Sequence, residues 1–212
     1  MLIKDFPFFT SEECDEIKQY AYKKEKELKG SSPLEVYNKS ITTNNYDRYN
    51  FFEDHPVYAE RLVDFLKTTN SPLEWPIMVQ SWVNIYRKGD GIGWHGHQGN
   101  GFSFNIFIDG DSSPGASYLL IGRFGGLKNK YDINAINFEN KKGYIQIFPS
   151  HIFHKVDPVS SERITVAGTI HNYSSISDPS LSSLSIDNKK DPDLILLKSK
   201  FSEKDFEGGK LA

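Results

Sequence analysis

The stretch Val79-Gln80-Ser81-Trp82-Val83-Asn84-Ile85-Tyr86 opens a region, from Ile77 to about Tyr173, that is rich in β-branched and aromatic residues. Runs of this kind, separated by glycine and proline and without helical periodicity between them, are typical of β-strands. The region holds five of them: Val79–Tyr86, Phe102–Ile108, Ser117–Ile121, Tyr144–Phe148 and Arg163–His171. Several short strands without intervening helices predict a sandwich or barrel.

Two helices are predicted before this region. A short strand near Phe6 leads into the first helix, whose start carries Thr10 and, three residues later, Glu13, the pattern of a reciprocal capping box. The second is predicted from Val57 to Leu66, and its apolar stripe comprises Ala59, Leu62, Val63 and Leu66. We expect residues 1–76 to form a helical buttress in the same domain as the strands of residues 77–173.

The composition changes after Tyr173. Serine, aspartate and lysine dominate residues 174–212, and one apolar patch, Leu194-Ile195-Leu196-Leu197, interrupts them. A polar composition of this kind is typical of linkers and chain ends. We expect residues 174–212 to be a linker and C-terminal tail, with a small docking element at the apolar patch.

Charge and cysteine content limit the partners and the compartment. The 212-residue chain carries a formal net charge of −3, which indicates neither nucleic acid nor an anionic membrane as a partner. Cys14 is the only cysteine, and Met1-Leu2-Ile3-Lys4-Asp5 lacks the apolar stretch of a signal peptide. No apolar run approaches the length of a membrane span. A soluble, cytoplasmic protein is expected, and the oligomeric state is left open.

Three histidines form the candidate metal site. His95 and His97 stand two residues apart, so in an extended segment both imidazoles point to the same side, and His154 follows the Tyr144–Phe148 run. A single histidine in a strand is more often a packed core residue, but the paired spacing favours metal binding. His151 is expected on the opposite face of an extended strand from His154. His55 and His171 have no comparable companions.

Arg163 begins the last β-rich run, and Thr165 lies two residues on, on the same face. One interpretation is a surface ion pair between Arg163 and Glu162. The other is a buried guanidinium that binds a carboxylate through two parallel hydrogen bonds, a geometry for which arginine is better suited than lysine. Thr165 would then add a hydroxyl.

Together these segments resemble the prolyl 4-hydroxylase-like branch of the iron(II)/2-oxoglutarate dioxygenases. The resemblance also includes a helix start at Phe9–Cys14 and extends over roughly residues 1–172. The segments that carry it are Tyr86–Gly89, His95–His97, Gly143–Phe148, His154–Val159 and Arg163.

The resemblance implies a mainly β fold with N-terminal helices: a double-stranded β-helix, or jelly roll, of cupin-like form with a metal at its open end. His95 would be the proximal ligand and His154 the distal one, and Arg163 would anchor the C5 carboxylate of 2-oxoglutarate. Tyr86 would reach the cosubstrate, with Asn105 as a further inward candidate. With Fe(II), 2-oxoglutarate and O₂, such enzymes hydroxylate a substrate and release succinate and CO₂. The implied substrate is a prolyl-like peptide or a small molecule.

His97 departs from the family signature, which has a carboxylate at this position. His97 could coordinate the metal directly and complete a three-histidine site. Alternatively, His97 stays off the metal, which leaves an open position as in halogenases of this superfamily or admits Asp90 or Asp109. In the third alternative catalysis is lost, and the chain is a non-catalytic metal- or ligand-binding jelly roll. A zinc hydrolase is a more distant alternative, because no general base is identifiable nearby in the sequence.

The interval from His154 to Arg163 is one residue shorter than the usual family pattern, and a one-residue slip would turn the arginine to the wrong face unless the turn absorbs it. Because the loop lies before the strand, we expect that the turn does absorb it. Two loops, Gly122–Tyr131 and Ile41–Tyr49, could each be a mobile lid over a substrate, and the glycine-rich Gly122–Tyr131 could equally be an ordinary hairpin loop.

Overall fold

The computed structural model describes residues 4–28, 41–42, 49–68, 77–97, 101–112, 118–123, 132–137, 139–172 and 195–197. The helices are α1 (Ser11–Leu28), α2 (Phe51–Asp54) and α3 (Pro56–Thr68). The strands are β1 (Lys4–Pro7), β2 (Ile41–Thr42), β3 (Ile77–Tyr86), β4 (Ile92–His95), β5 (Phe102–Gly110), β6 (Tyr118–Arg123), β7 (Asp132–Asn137), β8 (Tyr144–Pro149), β9 (Phe153–Val156), β10 (Arg163–Asn172) and β11 (Ile195–Leu197).

The strands form two antiparallel sheets. The larger has the order β1-β8-β5-β10-β3-β11, with β2 also paired to β3, and the smaller has the order β4-β9-β6-β7. Each of the five β-rich runs of the sequence forms a strand, namely β3, β5, β6, β8 and β10. The expected fold, a double-stranded β-helix with N-terminal helices, is confirmed.

The helices cover one face of the larger sheet. At the start of α1, the Glu13 carboxylate accepts from the Thr10 amide at 2.9 Å, and the Glu13 amide donates to the Thr10 hydroxyl at 3.2 Å, so the capping box is present. The predicted stripe of α3 is buried at all four positions: Ala59, Leu62, Val63 and Leu66. Together with apolar side chains of β3, β5, β8 and β10, these helices form the hydrophobic core.

The opposite face of the larger sheet carries polar and aromatic side chains. Side chains alternate between the faces along a strand, so the pairing of β10 with β3 decides which of them share this face. In that register Thr165 lies opposite Asn84 and Ala167 lies opposite Trp82. This face supports the candidate site.

Several elements were not predicted from the sequence. The strands β4 and β9 are four residues each and pair with each other, and β9 also pairs with β6. The two-residue β2 and the four-residue α2 are also too short to give a periodic pattern in the sequence. The apolar patch of the tail is strand β11, which pairs with Ile77–Val79 of β3. Residues 124–131 and 43–48, which make up most of the two loops considered as lids, lie outside the described residues.

Within the described residues, α1, α2 and α3 all fall short of the length and apolarity that a membrane-crossing helix requires.

Candidate metal centre

Three histidine side chains converge at one end of the smaller sheet. The candidate ligand atoms of His95, His97 and His154 all lie within 4.8 Å of one another. The centroids of the rings are 4.1 Å apart for His95 and His154, 5.4 Å for His95 and His97, and 5.2 Å for His97 and His154. Among the described residues, these three form a group that could hold a metal ion, and no aspartate or glutamate joins it.

Backbone contacts orient the three rings. His95 and His154 are register partners in the β4–β9 pair. The Nδ1 atom of His95 lies 2.9 Å from the Gly93 carbonyl, and that of His154 lies 3.0 Å from the Ile152 carbonyl. A carbonyl only accepts, so each Nδ1 carries the hydrogen and each Nε2 keeps its lone pair for a metal.

The turn between β8 and β9 holds the third ring in place. The backbone N–H of His97 donates to the Ser150 carbonyl at 2.9 Å. The hydroxyls of Ser150 and Ser103 lie 3.1 Å apart, and both residues are buried. This pair of hydroxyls fastens the turn to β5, and through Ser150 the turn fixes the backbone of His97.

Burial keeps two of these imidazoles neutral. Burial and the neighbouring His95 lower the pKa of His97 to about 4. Burial, with His95 again contributing, lowers the pKa of His154 to about 3. The neutral form is the one that binds metals, so His97 and His154 can bind a divalent ion near pH 7 without first losing a proton.

The remaining histidines lie elsewhere. His151 is exposed in the turn after β8, so it is outside the site because of this turn and not because it occupies the opposite face of a strand. His55 packs against the aromatic rings of Tyr20, Phe51 and Tyr58. His171, which the sequence left without a companion, is near enough to His97 to lower the pKa of that residue.

A cavity of about 660 Å³, including its open mouth, adjoins the triad. Its other walls include three aromatic residues and three carboxamides, which are Trp82, Tyr86, Phe148, Asn84, Asn105 and Gln146. Tyr86 and Asn105, both expected from the sequence, therefore face the cavity. The sequence did not single out the other four, although alternate positions along β3 and β8 carry them. No aspartate or glutamate is among the described residues that line this space.

Arg163 is buried beneath this end of the sheet. Its side chain is 1% exposed, and its Nη2 donates to the Asn140 Oδ1 at 3.2 Å. The guanidinium lies 5.8 Å from the centre of the Phe107 ring, and Arg163 is the register partner of Tyr86. It does not itself line the cavity, which reaches Tyr86. The interpretation of Arg163 as a surface ion-pair partner of Glu162 is wrong, because Glu162 pairs with Arg87 instead.

Arg163 keeps its expected orientation despite the short interval between His154 and Arg163. A β-bulge between Ile164 and Thr165 shifts the pairing of β10 with β5, while the register of β10 with β3 continues unbroken. Before the strand, the Asp111 carboxylate accepts from the Ser160 amide at 2.5 Å and from its hydroxyl at 2.8 Å. Arg163 and Thr165 therefore keep the same face as Tyr86.

The other predicted polar residues are engaged within the fold. The Thr165 hydroxyl is buried and accepts from Asn84 Nδ2 at 3.3 Å. Asp109 bonds Lys18 of α1 at 2.5 Å. Asp109 and Asp90 lie outside the group of metal-ligand atoms, so the alternative in which one of them replaces His97 gains no support.

The donor set fits the group that the resemblance implies. Three imidazoles on one side of an ion leave its other positions open, and the adjoining cavity provides space there for a chelating cosubstrate. The buried Arg163 is the register partner of Tyr86, which lines the cavity, and it bonds the carboxamide of Asn140. The arrangement can hold a metal ion and an acidic small molecule together.

The fold recurs in solved structures at low sequence identity. A prolyl hydroxylase from Trichoplax adhaerens, solved with a hypoxia inducible factor peptide fragment, is 14% identical with a TM-score of 0.59, and the match covers 83% of this chain and 87% of that one. A Pseudomonas putida prolyl-4-hydroxylase is 13% identical with a TM-score of 0.53, and the match covers 80% of this chain and 92% of that one. HygX from Streptomyces hygroscopicus, solved with nickel and 2-oxoglutarate bound, is 12% identical with a TM-score of 0.56, and the match covers 81% of this chain and 83% of that one. These likenesses establish the fold.

The sequence itself matches one family. No curated protein matches the chain. Residues 80–168, from the middle of β3 to the middle of β10, match the family described as "Putative 2OG-Fe(II) oxygenase". This segment contains the three histidines, Tyr86, Asn105, Arg163 and Thr165. Over residues 80–168, the chain is therefore similar to the 2OG-Fe(II) oxygenases.

Proposed function

We propose that this protein is an Fe(II)- and 2-oxoglutarate-dependent oxygenase that hydroxylates a peptide or a small molecule. The observation that carries the proposal is the convergence of His95, His97 and His154, with their ligand atoms within 4.8 Å of one another, beside an open cavity. When bound, the iron and 2-oxoglutarate would supply the oxidation: one oxygen atom of O₂ leaves in succinate alongside CO₂, and the other becomes the substrate hydroxyl.

In this proposal all three histidines are direct ligands. His95 and His154 offer their Nε2 atoms because their Nδ1 atoms face backbone carbonyls. His97 stands in the position where the family signature has a carboxylate. Neutral imidazoles leave the charge of a divalent ion without compensation, and the 2-oxoglutarate dianion would provide it.

Four residues would bind the cosubstrate. Arg163 would bind the distal carboxylate, and the buried Thr165 hydroxyl on the same face would assist it. Tyr86 lines the cavity and is the register partner of Arg163, and the Asn105 carboxamide faces the cavity from β5. Their role would be to hold the cosubstrate in one orientation against the metal and to exclude water from it.

The substrate itself enters through the open mouth of the cavity. Aromatic and carboxamide walls suit a ligand that presents both apolar surface and hydrogen-bonding groups. The Trichoplax enzyme was solved with a peptide, and HygX was also solved with hygromycin B, so proteins of this fold accommodate both classes. A hydrolytic zinc site gains no support, because no carboxylate among the described residues lines the cavity to act as a base.

The activity is tested by incubating the protein in air with Fe(II), ascorbate and 2-oxoglutarate labelled at C1. Candidate peptides and aminoglycosides are added in turn, and labelled CO₂ is collected. The proposal predicts iron-dependent release that a matching substrate accelerates and that His154→Ala abolishes. A wild-type protein that binds iron and 2-oxoglutarate, yet releases no more label than His154→Ala with any candidate, would instead be a non-catalytic jelly-roll binding protein.

A further inference from the structure

Asn140 is a buried carboxamide next to Arg163 that the sequence analysis did not single out. It precedes β8 and is 4% exposed. Its Oδ1 accepts a hydrogen bond from Arg163 Nη2 at 3.2 Å. A guanidinium can only donate, so this contact fixes which end of the carboxamide faces the arginine. The NH₂ end must therefore point elsewhere.

The NH₂ group of Asn140 is a buried donor, and its Nδ2 atom has no hydrogen-bond acceptor in the described part of the chain. A buried donor without an acceptor destabilises the protein, and such groups are uncommon in native structures unless a ligand or water completes them. The position beside Arg163 limits what that ligand can be, because the adjacent positive charge favours an anionic acceptor.

Among the described residues, no carboxylate accepts a hydrogen bond from this NH₂ group. Asp111, the acid whose charge acts on Arg163, has an oxygen already bonded to the amide and the hydroxyl of Ser160. Glu139, the residue before Asn140, is exposed. On the remaining side lies the ring of Phe107, 5.8 Å from the guanidinium carbon. Because Nδ2 has no acceptor in the described part of the chain, a bound molecule or a water would have to supply it.

We propose that Asn140 is a specificity-determining residue that donates from Nδ2 to the distal carboxylate of the cosubstrate, beside Arg163. This inference rests on the proposed function and extends it. Arg163 orients the carboxamide by binding its oxygen, so the NH₂ group is prepared for the ligand before it arrives. Arginine alone would attract any anion, whereas the arginine–carboxamide pair selects a 2-oxo acid with a carboxylate at its far end.

The test compares two ligands that differ only at that end. In 2-oxopentanoate a methyl group replaces the distal carboxylate of 2-oxoglutarate, and the metal-binding end is unchanged. The dissociation constants of both are measured by calorimetry under anaerobic conditions with Fe(II)-loaded protein. We expect Asn140→Ala to weaken 2-oxoglutarate binding by about 10- to 100-fold, the effect of a hydrogen bond to a charged group, and to leave 2-oxopentanoate binding within about twofold.

Asn140→Asp provides the second variant. It keeps an oxygen for Arg163 and the shape of the side chain, so it is expected to fold even if Asn140→Ala does not. It replaces the donor with a negatively charged oxygen that repels the incoming carboxylate. We expect at least as large a loss of 2-oxoglutarate affinity as in Asn140→Ala, again with 2-oxopentanoate little affected.

Asn50→Ala is the matched control. Asn50 is a buried asparagine that does not line the cavity; it caps α2 and donates to the Val79 carbonyl at 2.8 Å. It should lower the melting temperature without changing the ratio of the two dissociation constants.

The outcomes separate the two proposals. A wild-type protein that binds neither ligand, or binds both equally, contradicts the proposed function. A wild-type protein that prefers 2-oxoglutarate, with the same preference in both Asn140 variants, leaves the proposed function intact and overturns the role of Asn140.

Discussion

His95 and His154 face each other across the β4–β9 pair, with their ring centroids 4.1 Å apart and each Nδ1 directed at a backbone carbonyl two residues earlier in the chain. The two strands thus present two Nε2 atoms to the same space. His97 lies beyond the end of β4 and completes the group. His97 occupies the position at which the family signature has a carboxylate, so a substitution there can change the charge beside the metal.

We predict that His97→Asp binds Fe(II) more tightly than the wild type when 2-oxoglutarate is absent, by about tenfold or more, because a carboxylate offsets the charge of the ion. In the wild type, 2-oxoglutarate should strengthen iron binding more than it does in the variant. Anaerobic competition titrations with a chelator, with and without 2-oxoglutarate, measure both effects. His151→Ala removes an exposed histidine outside the group and should change neither. Unchanged iron affinity in both His97→Asp and His97→Ala would mean that His97 is not a ligand.

The metal-free protein should lose stability in mild acid. The folded state holds the pKa of His97 near 4 and that of His154 near 3, below the unfolded value of 6.5. Below pH 6.5 the unfolded chain therefore takes up protons that the folded chain does not, and stability falls by about 1.4 kcal/mol per pH unit for each such histidine until its folded pKa is reached. Urea unfolding between pH 7.5 and 4.5 measures the slope. His154→Gln should reduce it, and an equal slope in the variant would contradict the assignment.

Alanine substitutions at Gly89 and Gly110 distinguish the cost of a positive φ from the cost of a steric clash. Gly110 and Gly89 both have positive φ, of 98° and 88°, but a Cβ at Gly110 would lie 1.9 Å from the Glu162 carbonyl oxygen, whereas at Gly89 nothing lies within 4 Å. Gly89→Ala should cost about 1–2 kcal/mol from conformation alone. Gly110→Ala should cost more and also weaken 2-oxoglutarate binding, because it displaces the residue before Arg163. Equal losses of stability and equal cosubstrate affinity in the two variants would argue against this positioning of Arg163.

Cys14 should resist thiol reagents. It is 0% exposed on the buried face of α1, and burial raises the pKa of its thiol to about 11. The reactive species is the thiolate, so the native protein should react with Ellman's reagent only as fast as it opens or unfolds. Addition of guanidinium chloride should release the full signal of one thiol. Rapid labelling of the native protein would show that α1 is not packed as described.

The parts of the fold that the sequence predicted are those with strong local signals. The α3 stripe and the Thr10–Glu13 capping box depend on residues a few positions apart, and both are present. The short strands β4 and β9 escaped prediction because β4 pairs with β9 about sixty residues later in the chain, and β9 also pairs with the distant β6. No local pattern carries that information.

The candidate site shows the same division. The spacing of His95 and His97 predicted a metal site, and the structure brings His154 into the same group. Asn140 gave no such signal, because its contact with Arg163 depends on how the turn before β8 meets the start of β10. The face of Arg163, which the short interval after His154 called into question, is set by the unbroken register of β10 with β3.

The central claim is that the three histidines and Arg163 together hold iron and 2-oxoglutarate. An anaerobic Fe(II) titration, monitored for the visible metal-to-ligand charge-transfer band that a chelated 2-oxo acid produces, tests it most directly in the wild type, His97→Ala and Arg163→Ala. The proposed function predicts a band in the wild type that appears only with both iron and 2-oxoglutarate and that weakens in both variants. Iron binding by the wild type without a band would contradict it.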